Sequence, residues 1–271
     1  MCSLEAMTDP LFILDTSRED TPMASDELHA GWNVNLPASV RRHAVQSMRL
    51  TDGDSLQLSD GAGLRIHAEL VDAANGVARV LSAGQDERPV TRLSLIQALA
   101  KTGHDEQAID MATQIGVDDV VPWQAARSIA KWKPGRTDVK WRGTLIAASE
   151  QSRRSWVPQL GDCVNGKGLL AICRRSSVHG GLMLVLHQDA TTSWNEVEDH
   201  VGALTQRCLA DGRERTISVV VGPEGGISDE EIGSMKDAGA RVCVLGGNIL
   251  RASLAGPVAL TLLARTLGRF R

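Results

Sequence analysis

Two β-branched runs late in the chain each end in a glycine-rich loop, and this repeated device restricts the fold more than any other stretch. The first run, Ile217–Val221, leads into Gly222-Pro223-Glu224-Gly225-Gly226. The second, Arg241–Leu245, leads into Gly246-Gly247-Asn248. Short runs of Val and Ile without polar alternation belong inside a parallel sheet covered on both faces. Ser228 followed by Asp229, Glu230 and Glu231 has the form of a helix N-cap with acids in the first turn, facing the positive end of the helix dipole. A last helix is expected from Arg251 or Ala252, with Leu254, Val258 and Leu262 on its inward face. Two adjacent strands ending in such loops open a crevice at the carboxyl edge of a sheet, where open α/β folds bind ligands. Neither loop is a dinucleotide fingerprint or a P-loop, because G-x-G-x-x-G and Gly-Lys-Ser/Thr are both missing there. From the residues alone they are either ligand loops or ordinary βα turns.

The rest of the chain fits this class. A helical pattern with Ala108, Ile109, Ala112 and Ile115 lies between strands at Leu93–Leu99 and Val117–Pro122. Helices at Thr137–Ser152 and Asn195–Ala210 and a strand at Leu182–Leu186 continue the alternation, which fixes the class as α/β. Residues 160–181 read as irregular. The N-terminal part differs. Leu11–Leu14 reads as a strand, residues 1–10 as loosely attached and residues 16–30 as a loop. A short helix follows from Pro37 to Leu50, with Val40, Ala44, Val45 and Met48 as its apolar side. Strands at Ser55–Leu58, Leu64–Val71 and Val77–Leu81, parted by turns at Asp60-Gly61 and Asn75-Gly76, predict a small β-barrel. The polar stretch 82–91 reads as a linker, so the domains run 1–88 and 89–271.

Aromatic residues make up 3% of the chain and Tyr is absent, so aliphatic side chains must build both cores. The N-terminus has no basic flank and apolar segment of the secretory type, and no apolar run reaches the roughly 18 residues of a membrane span. Cysteines 2, 163, 173, 208 and 243 stand apart without metal-ligand spacing, which predicts reduced thiols in the cytoplasm. The net charge of −4 hides a local excess. Between Arg127 and Arg154 eight basic residues face two acids, a cluster suited either to phosphates or to a solvated helix face. Trp132, Trp141 and Trp156 interleave with it and are candidates for stacking on splayed bases.

The order Gly222-Pro223-Glu224-Gly225-Gly226, capped acidic helix, strand, then Leu245-Gly246-x-x-Ile249-Leu250-Arg251 resembles the SPOUT methyltransferases, and most closely their RsmE family, the uridine-N3 methyltransferases of small-subunit (16S) ribosomal RNA. The N-terminal helix, Gly53-Asp54, strand and Asp60-Gly61-x-Gly63 turn resemble that family's PUA-like RNA-binding domain. The resemblance implies an α/β, SPOUT-type knotted parallel sheet behind an N-terminal PUA-like β-barrel domain, with a C-terminal trefoil knot. It implies S-adenosylmethionine as cofactor, held by Leu186, His187, Gly222, Pro223, Glu224, Gly225, Gly226, Leu245, Gly246, Ile249, Leu250 and Ala252. It also implies Arg251 as the charge-stabilising residue and Glu224 as a possible base. Arg41, Arg42, His43, Arg49, Lys101, Arg127, Arg153 and Arg154 become candidate RNA contacts. Ribosomal RNA or the small subunit is the implied partner, a homodimer the implied assembly, and no metal or membrane is required.

One departure stands out. The family reads Arg-x-Glu-Thr-Ala where this chain has Arg251-Ala252-Ser253-Leu254-Ala255, leaving Ser253 as the polar group able to cap the helix or touch substrate. Two alternatives therefore stay open: a SPOUT enzyme acting on another RNA position, and a non-catalytic RNA-binding or assembly factor.

Overall fold

A computed structural model describes residues 9–14 and 29–270. The expectations for residues 1–8, for the loop over 15–28 and for the tail at Arg271 lie outside the described residues. The chain forms two compact units. One takes the chain up to Arg88 together with Ile146–Val157; the other takes Pro89–Leu145 and everything from Pro158 onward.

The smaller unit is a five-stranded half-barrel. Its strands β1 (Leu11–Ile13), β2 (Asn33–Asn35), β3 (Ser55–Ser59), β4 (Leu64–Asp72) and β5 (Val77–Gln85) lie in the order β1-β3-β4-β5-β2. Leu64, Ile66, Ala68 and Leu70 alternate inward along β4 and meet Phe12, Leu56, Leu58 and Val80 in one aliphatic core. The predicted linker is shorter than its composition indicates. Register shifts between His67 and Ala68 and between Leu70 and Asp72 let β5 stay paired with β4 as far as Gln85, so Ser82–Gln85 are strand. The helix after Pro37 also departs from expectation. Helix α1 (Ala38–Arg41) runs into a wider π turn, Arg42–Ser47, where the Met48 N–H reaches the His43 carbonyl at 3.0 Å. That wider turn carries Met48 off the apolar side, leaving it 45% exposed, while Val40 and Ala44 stay buried.

The larger unit holds a six-stranded, all-parallel sheet in the order β11-β9-β10-β6-β7-β8. The strands are β6 (Thr91–Ala98), β7 (Asp119–Trp123), β8 (Gln159–Leu160), β9 (Leu182–Leu186), β10 (Arg215–Val221) and β11 (Arg241–Cys243). Its helices are α2 (His104–Ile115), α3 (Thr137–Ser152), which continues into the smaller unit, α4 (Gly166–Val178), α5 (Trp194–Asp211), α6 (Asp229–Asp237) and α7 (Ala252–Thr266). Ser193 and Ser228 each accept from the N3 backbone N–H while Glu196 and Glu231 return the bond, so α5 and α6 start in full capping boxes.

Three expectations need correction here. Residues 160–181 are not irregular: α4 starts at Asn165, whose side chain accepts from the Gly168 N–H, and buries Leu169 and Cys173. Two glycines in its first turn and paired serines near its end conceal it from composition. The inward face of α7 is not Leu254–Val258–Leu262. It is the stripe through Gly256, Leu260 and Leu263, and Leu254 is 42% exposed. The helix is apolar nearly all round, so four-residue spacing fits two stripes, and close approach chooses between them. A Cβ on Gly256 would stand 2.9 Å from Leu95 Cδ1, so the sheet accepts only the glycine side. Finally Trp141 is fully buried, its ring edge-on to Trp132 at 5.5 Å, and has no face left for a base. Trp156 of the smaller unit donates from Nε1 to the Asp86 carbonyl and lies under the Arg88 guanidinium, 5.0 Å from it.

Candidate cofactor and active site

Parallel strands β9, β10 and β11 all end at one edge of the sheet, and the loops leaving them enclose a cavity of about 770 Å3. All twelve residues implied as cofactor contacts, from Leu186 and His187 through the Gly222–Gly226 loop to Leu245, Gly246, Ile249, Leu250 and Ala252, line it. Arg251 and Arg127 line it too. Size and lining suit a drug-sized molecule with one flat apolar part. Ile249 is 79% exposed and Leu245 and Leu250 half-buried, an apolar surface at the mouth of an otherwise polar loop region.

The glycines serve two ends. A Cβ on Gly222 would stand 2.6 Å from Ile227 Cγ1, so the first loop closes only over a bare Cα. Gly246 and Gly247 have nothing within 4 Å of a built Cβ, so their freedom leaves open space beside the cavity. Such a cradle, with exposed peptide groups and apolar neighbours, fits S-adenosylmethionine. Among the described residues no cluster of His, Cys, Asp and Glu is arranged to hold a metal ion.

Glu224 is already engaged. Its Oε1 accepts from the Lys101 backbone N–H at 2.9 Å and lies 3.3 Å from His104 Nδ1. Partial burial works against its charge, but hydrogen bonds from its own backbone, from Lys101 and from His104 outweigh that and hold the carboxyl below its usual range. It is therefore an ionised clamp between the loop after β10 and the loop after β6. Arg127 adds a second clamp, donating from Nη1 to the Gly225 carbonyl at 3.1 Å. The Glu231 carboxylate accepts from the Ala126 N–H at 2.9 Å and ties the same segment to α6. Arg251 occupies the N-cap position of α7, and its guanidinium has no ion-pair partner among the described residues. It stands where the helix dipole is positive. Ser253 neither caps α7 nor borders the cavity; it is buried as the second residue of the helix.

The other candidate RNA contacts divide between the units. Lys101 is exposed and reaches the site through its main chain. In the smaller unit Arg41, Arg42, His43 and Arg49 are all exposed. The Arg41 side chain lies against Gly76, and His43 packs edge-on to Phe12 at 5.4 Å. Arg49 and Arg153 both adopt left-handed backbone, with φ of 61° and 56°. The Arg153 carbonyl accepts from Arg65 at 3.1 Å, and Arg154 is half-buried. Sequence reasoning missed His104 at the cavity. Its signal was position, at the end of a strand-to-helix turn, but only the pairing of β6 with β10 brings that turn beside the glycine loops.

A family model described as an RNA methyltransferase domain matches residues 86–264, and one described as an RNA methyltransferase PUA domain matches residues 36–76. The ribosomal RNA small subunit methyltransferase E of Mycobacterium bovis is 34% identical over 80% of this chain and 80% of its own length. The protein of that name from Synechocystis is 27% identical over 84% of this chain and 71% of its own. The crystal structure of the Neisseria gonorrhoeae protein of the same name, bound to S-adenosyl methionine, superposes with a TM-score of 0.76 at 23% identity, covering 96% of this chain and 98% of that one. With its parallel sheet, glycine-loop cavity and half-barrel unit, the chain belongs to the ribosomal RNA small subunit methyltransferase E family of RNA methyltransferases.

Proposed function

We propose that the protein methylates N3 of a uridine in small-subunit (16S) ribosomal RNA, using S-adenosylmethionine. The observation that carries this reading is the convergence of the three strand-end loops and Arg251 on one cavity. When bound, S-adenosylmethionine supplies a methyl group on a sulfonium centre, which leaves as a neutral thioether. The protein's own work is positioning and charge. Backbone groups of Leu186, Gly222, Leu245, Ile249 and Ala252 hold the cofactor, while the Glu224 and Arg127 clamps fix the loop that carries Gly225. Uracil N3 attacks only once it sheds its proton. Arg251, at a helix start and without an ion-pair partner among the described residues, stabilises the negative charge that then spreads over O2 and O4.

The domain assignment follows the same lines. Residues 89–271, apart from the Ile146–Val157 segment that folds with the smaller unit, form the catalytic domain with its C-terminal knot, and residues 1–88 form the RNA-binding domain, which offers exposed Arg41, Arg42, His43 and Arg49 to the ribosomal RNA. The half-exposed stripe Leu254–Val258–Leu262 on α7 receives a second copy of the chain, making a homodimer. Among the described residues no helix is long and apolar enough to cross a membrane, and a ribosomal substrate puts the enzyme in the cytoplasm.

The test is calorimetric titration with S-adenosylmethionine, followed by mapping of methylated uridines in small-subunit RNA. Wild type binds and methylates; Gly225→Val, whose branch would press on Arg127 Cβ from a built Cβ at 3.2 Å, does not bind. Arg251→Ala binds the cofactor and loses most turnover. Failure of wild type to bind, with or without RNA, sinks the enzyme reading.

A further inference from the structure

Two imidazoles border the cavity, and their hydrogen bonds leave them in opposite tautomers. His187 Nδ1 accepts from the Asp189 backbone N–H at 3.3 Å, so a neutral His187 carries its proton on Nε2 and offers a donor. The Asp189 carboxylate, 3.9 Å from that nitrogen, is beyond hydrogen-bond distance. His104 is the reverse. Its Nδ1 faces Glu224 Oε1 at 3.3 Å, and an ionised carboxylate can only accept. The proton therefore sits on Nδ1, and Nε2 keeps a lone pair. The neighbour of that lone pair among the described residues is the Thr102 hydroxyl at 3.5 Å, a long contact that a substrate N–H displaces readily.

The backbone that delivers His104 is bent to do so. Thr102 is β-branched yet sits at φ 54°, and Gly103 follows at φ 77°. A β-branched residue in the left-handed region is a genuine outlier, and such outliers gather where a side chain must be aimed. Helix α2 then starts without a side-chain cap at Gly103, and His104 is its first residue. A carboxylate that orients an imidazole through Nδ1 and leaves Nε2 free is the arrangement of a general base.

We propose that His104 is the general base that removes the uracil N3 proton, oriented by Glu224 as a positioning residue; this rests on the uridine-N3 reading above. The N3–H bond breaks, the proton passes to His104 Nε2, and N3 retains the electron pair with which it forms the new N–C bond as the methyl–sulfur bond breaks and sulfur keeps that bond's pair as a neutral thioether. The imidazolium returns its proton to solvent after turnover. Arg251 stabilises the anion, so base and electrostatic partner stand on separate loops of the same cavity.

The decisive variant is His104→Asn, whose amide preserves a donor to Glu224 and lacks Nε2. Two readouts are taken. In 15N spectra of the ligand-free wild type, the resonance pair lost in His104→Asn shows the Nδ1–H tautomer; finding the Nε2–H tautomer overturns the proposal. In single-turnover methylation of small-subunit RNA, His104→Asn is slower at neutral pH by about 100-fold or more, within the range for loss of a general base. Its rate rises with pH as hydroxide replaces the imidazole, while calorimetry gives wild-type affinity for S-adenosylmethionine. A wild-type rate and profile in His104→Asn, or an equal loss at every pH accompanied by lost cofactor affinity, overturns the assignment. If wild type itself leaves uridine N3 unmethylated, the uridine reading fails separately, before His104 is in question.

Discussion

Gly222 and Gly246 line the same cavity, yet a methyl group added at each meets different surroundings, and the difference yields a paired prediction. Neither glycine has positive φ, so alanine suits both backbones and only space decides. At Gly222 the new carbon would lie 2.6 Å from Ile227 Cγ1, 3.3 Å from its Cδ1 and 3.5 Å from its backbone nitrogen. Relaxed carbon contacts lie at about 3.5–4.0 Å, so Ile227 must retreat by about 1 Å. It belongs to the core with Ile96, Val185 and Val220, which leaves it little room. Overpacking of this kind costs about 1–3 kcal/mol. At about 2–4 °C per kcal/mol, Gly222→Ala melts several degrees below wild type. Gly246→Ala meets nothing within 4 Å and stays within about 0.5 kcal/mol of wild type. With ligand the order changes. Wild type gains about 2.7 kcal/mol at a hundredfold excess of S-adenosylmethionine over Kd. A methyl at Gly246 fills space the ligand needs, so this variant gains less than half of that. The assay is thermal melting of both variants across a cofactor series. A Gly246→Ala protein with the full ligand-induced shift refutes the claim that this space belongs to the cofactor; an unshifted ligand-free melt for Gly222→Ala refutes the packing argument.

Three further outcomes follow from other parts of the molecule. Burial raises the Glu150 carboxyl above its usual range, against the lowering effects of the Ile13 N–H and of His43. A raised carboxyl binds its proton more tightly in the folded state, so its contribution to stability is lost as pH climbs from about 4.5 through the folded value. Glu150→Gln keeps an acceptor for Ile13 and should raise the urea midpoint at pH 7, an advantage that vanishes below pH 4; equal gains at both values contradict the assignment. Arg269 donates to the carbonyls of Gly116 and Thr91 and to the Asp118 carboxylate at 3.0 Å, while Asp118 also accepts from the Leu93 N–H at 2.8 Å; Arg269→Ala removes one charged partner of a buried acid and costs about 1.5–3 kcal/mol by urea denaturation, and a loss under 1 kcal/mol would show the staple to be dispensable. Leu254→Asp with Leu262→Asp places charge on the half-exposed stripe of α7 and should halve the mass seen by light scattering without lowering the melting temperature; an unchanged mass excludes this stripe as the interface.

The larger unit was legible where local signals agree. Ser228 and Glu231 mark the start of α6, and the left-handed Gly116 marks the end of α2. The β-branched run of β10 required a covered strand, and it has one neighbour on each side. Legibility failed where a signal was degenerate or non-local. Helix α7 offers two apolar stripes, and the steric fit of Gly256 against Leu95 selects between them, a fact about the sheet and not about the helix. Helix α4 lost its signature to glycines at its first turn, although Asn165 caps it. In the site, the glycine loops announce themselves because bare Cα atoms have a steric reason to be there. His104 does not, because its meaning depends on Glu224, 120 residues away in sequence.

The position of β6 also bears on how the protein is made. This strand lies inside the sheet between β7 and β10, and its register with β10 pairs Thr91 with Arg215 and Gln97 with Val221. Roughly 120 residues of chain must therefore leave the ribosome after β6 before its second edge is covered. At about 5–20 residues per second that takes about 6–25 s, during which an apolar strand edge stands open to other chains. Helix α2 and strand β7, synthesised next, cover only one side. Slowed translation between α3 and β10 would lengthen that exposure and raise the demand for chaperones, with no change in the finished fold.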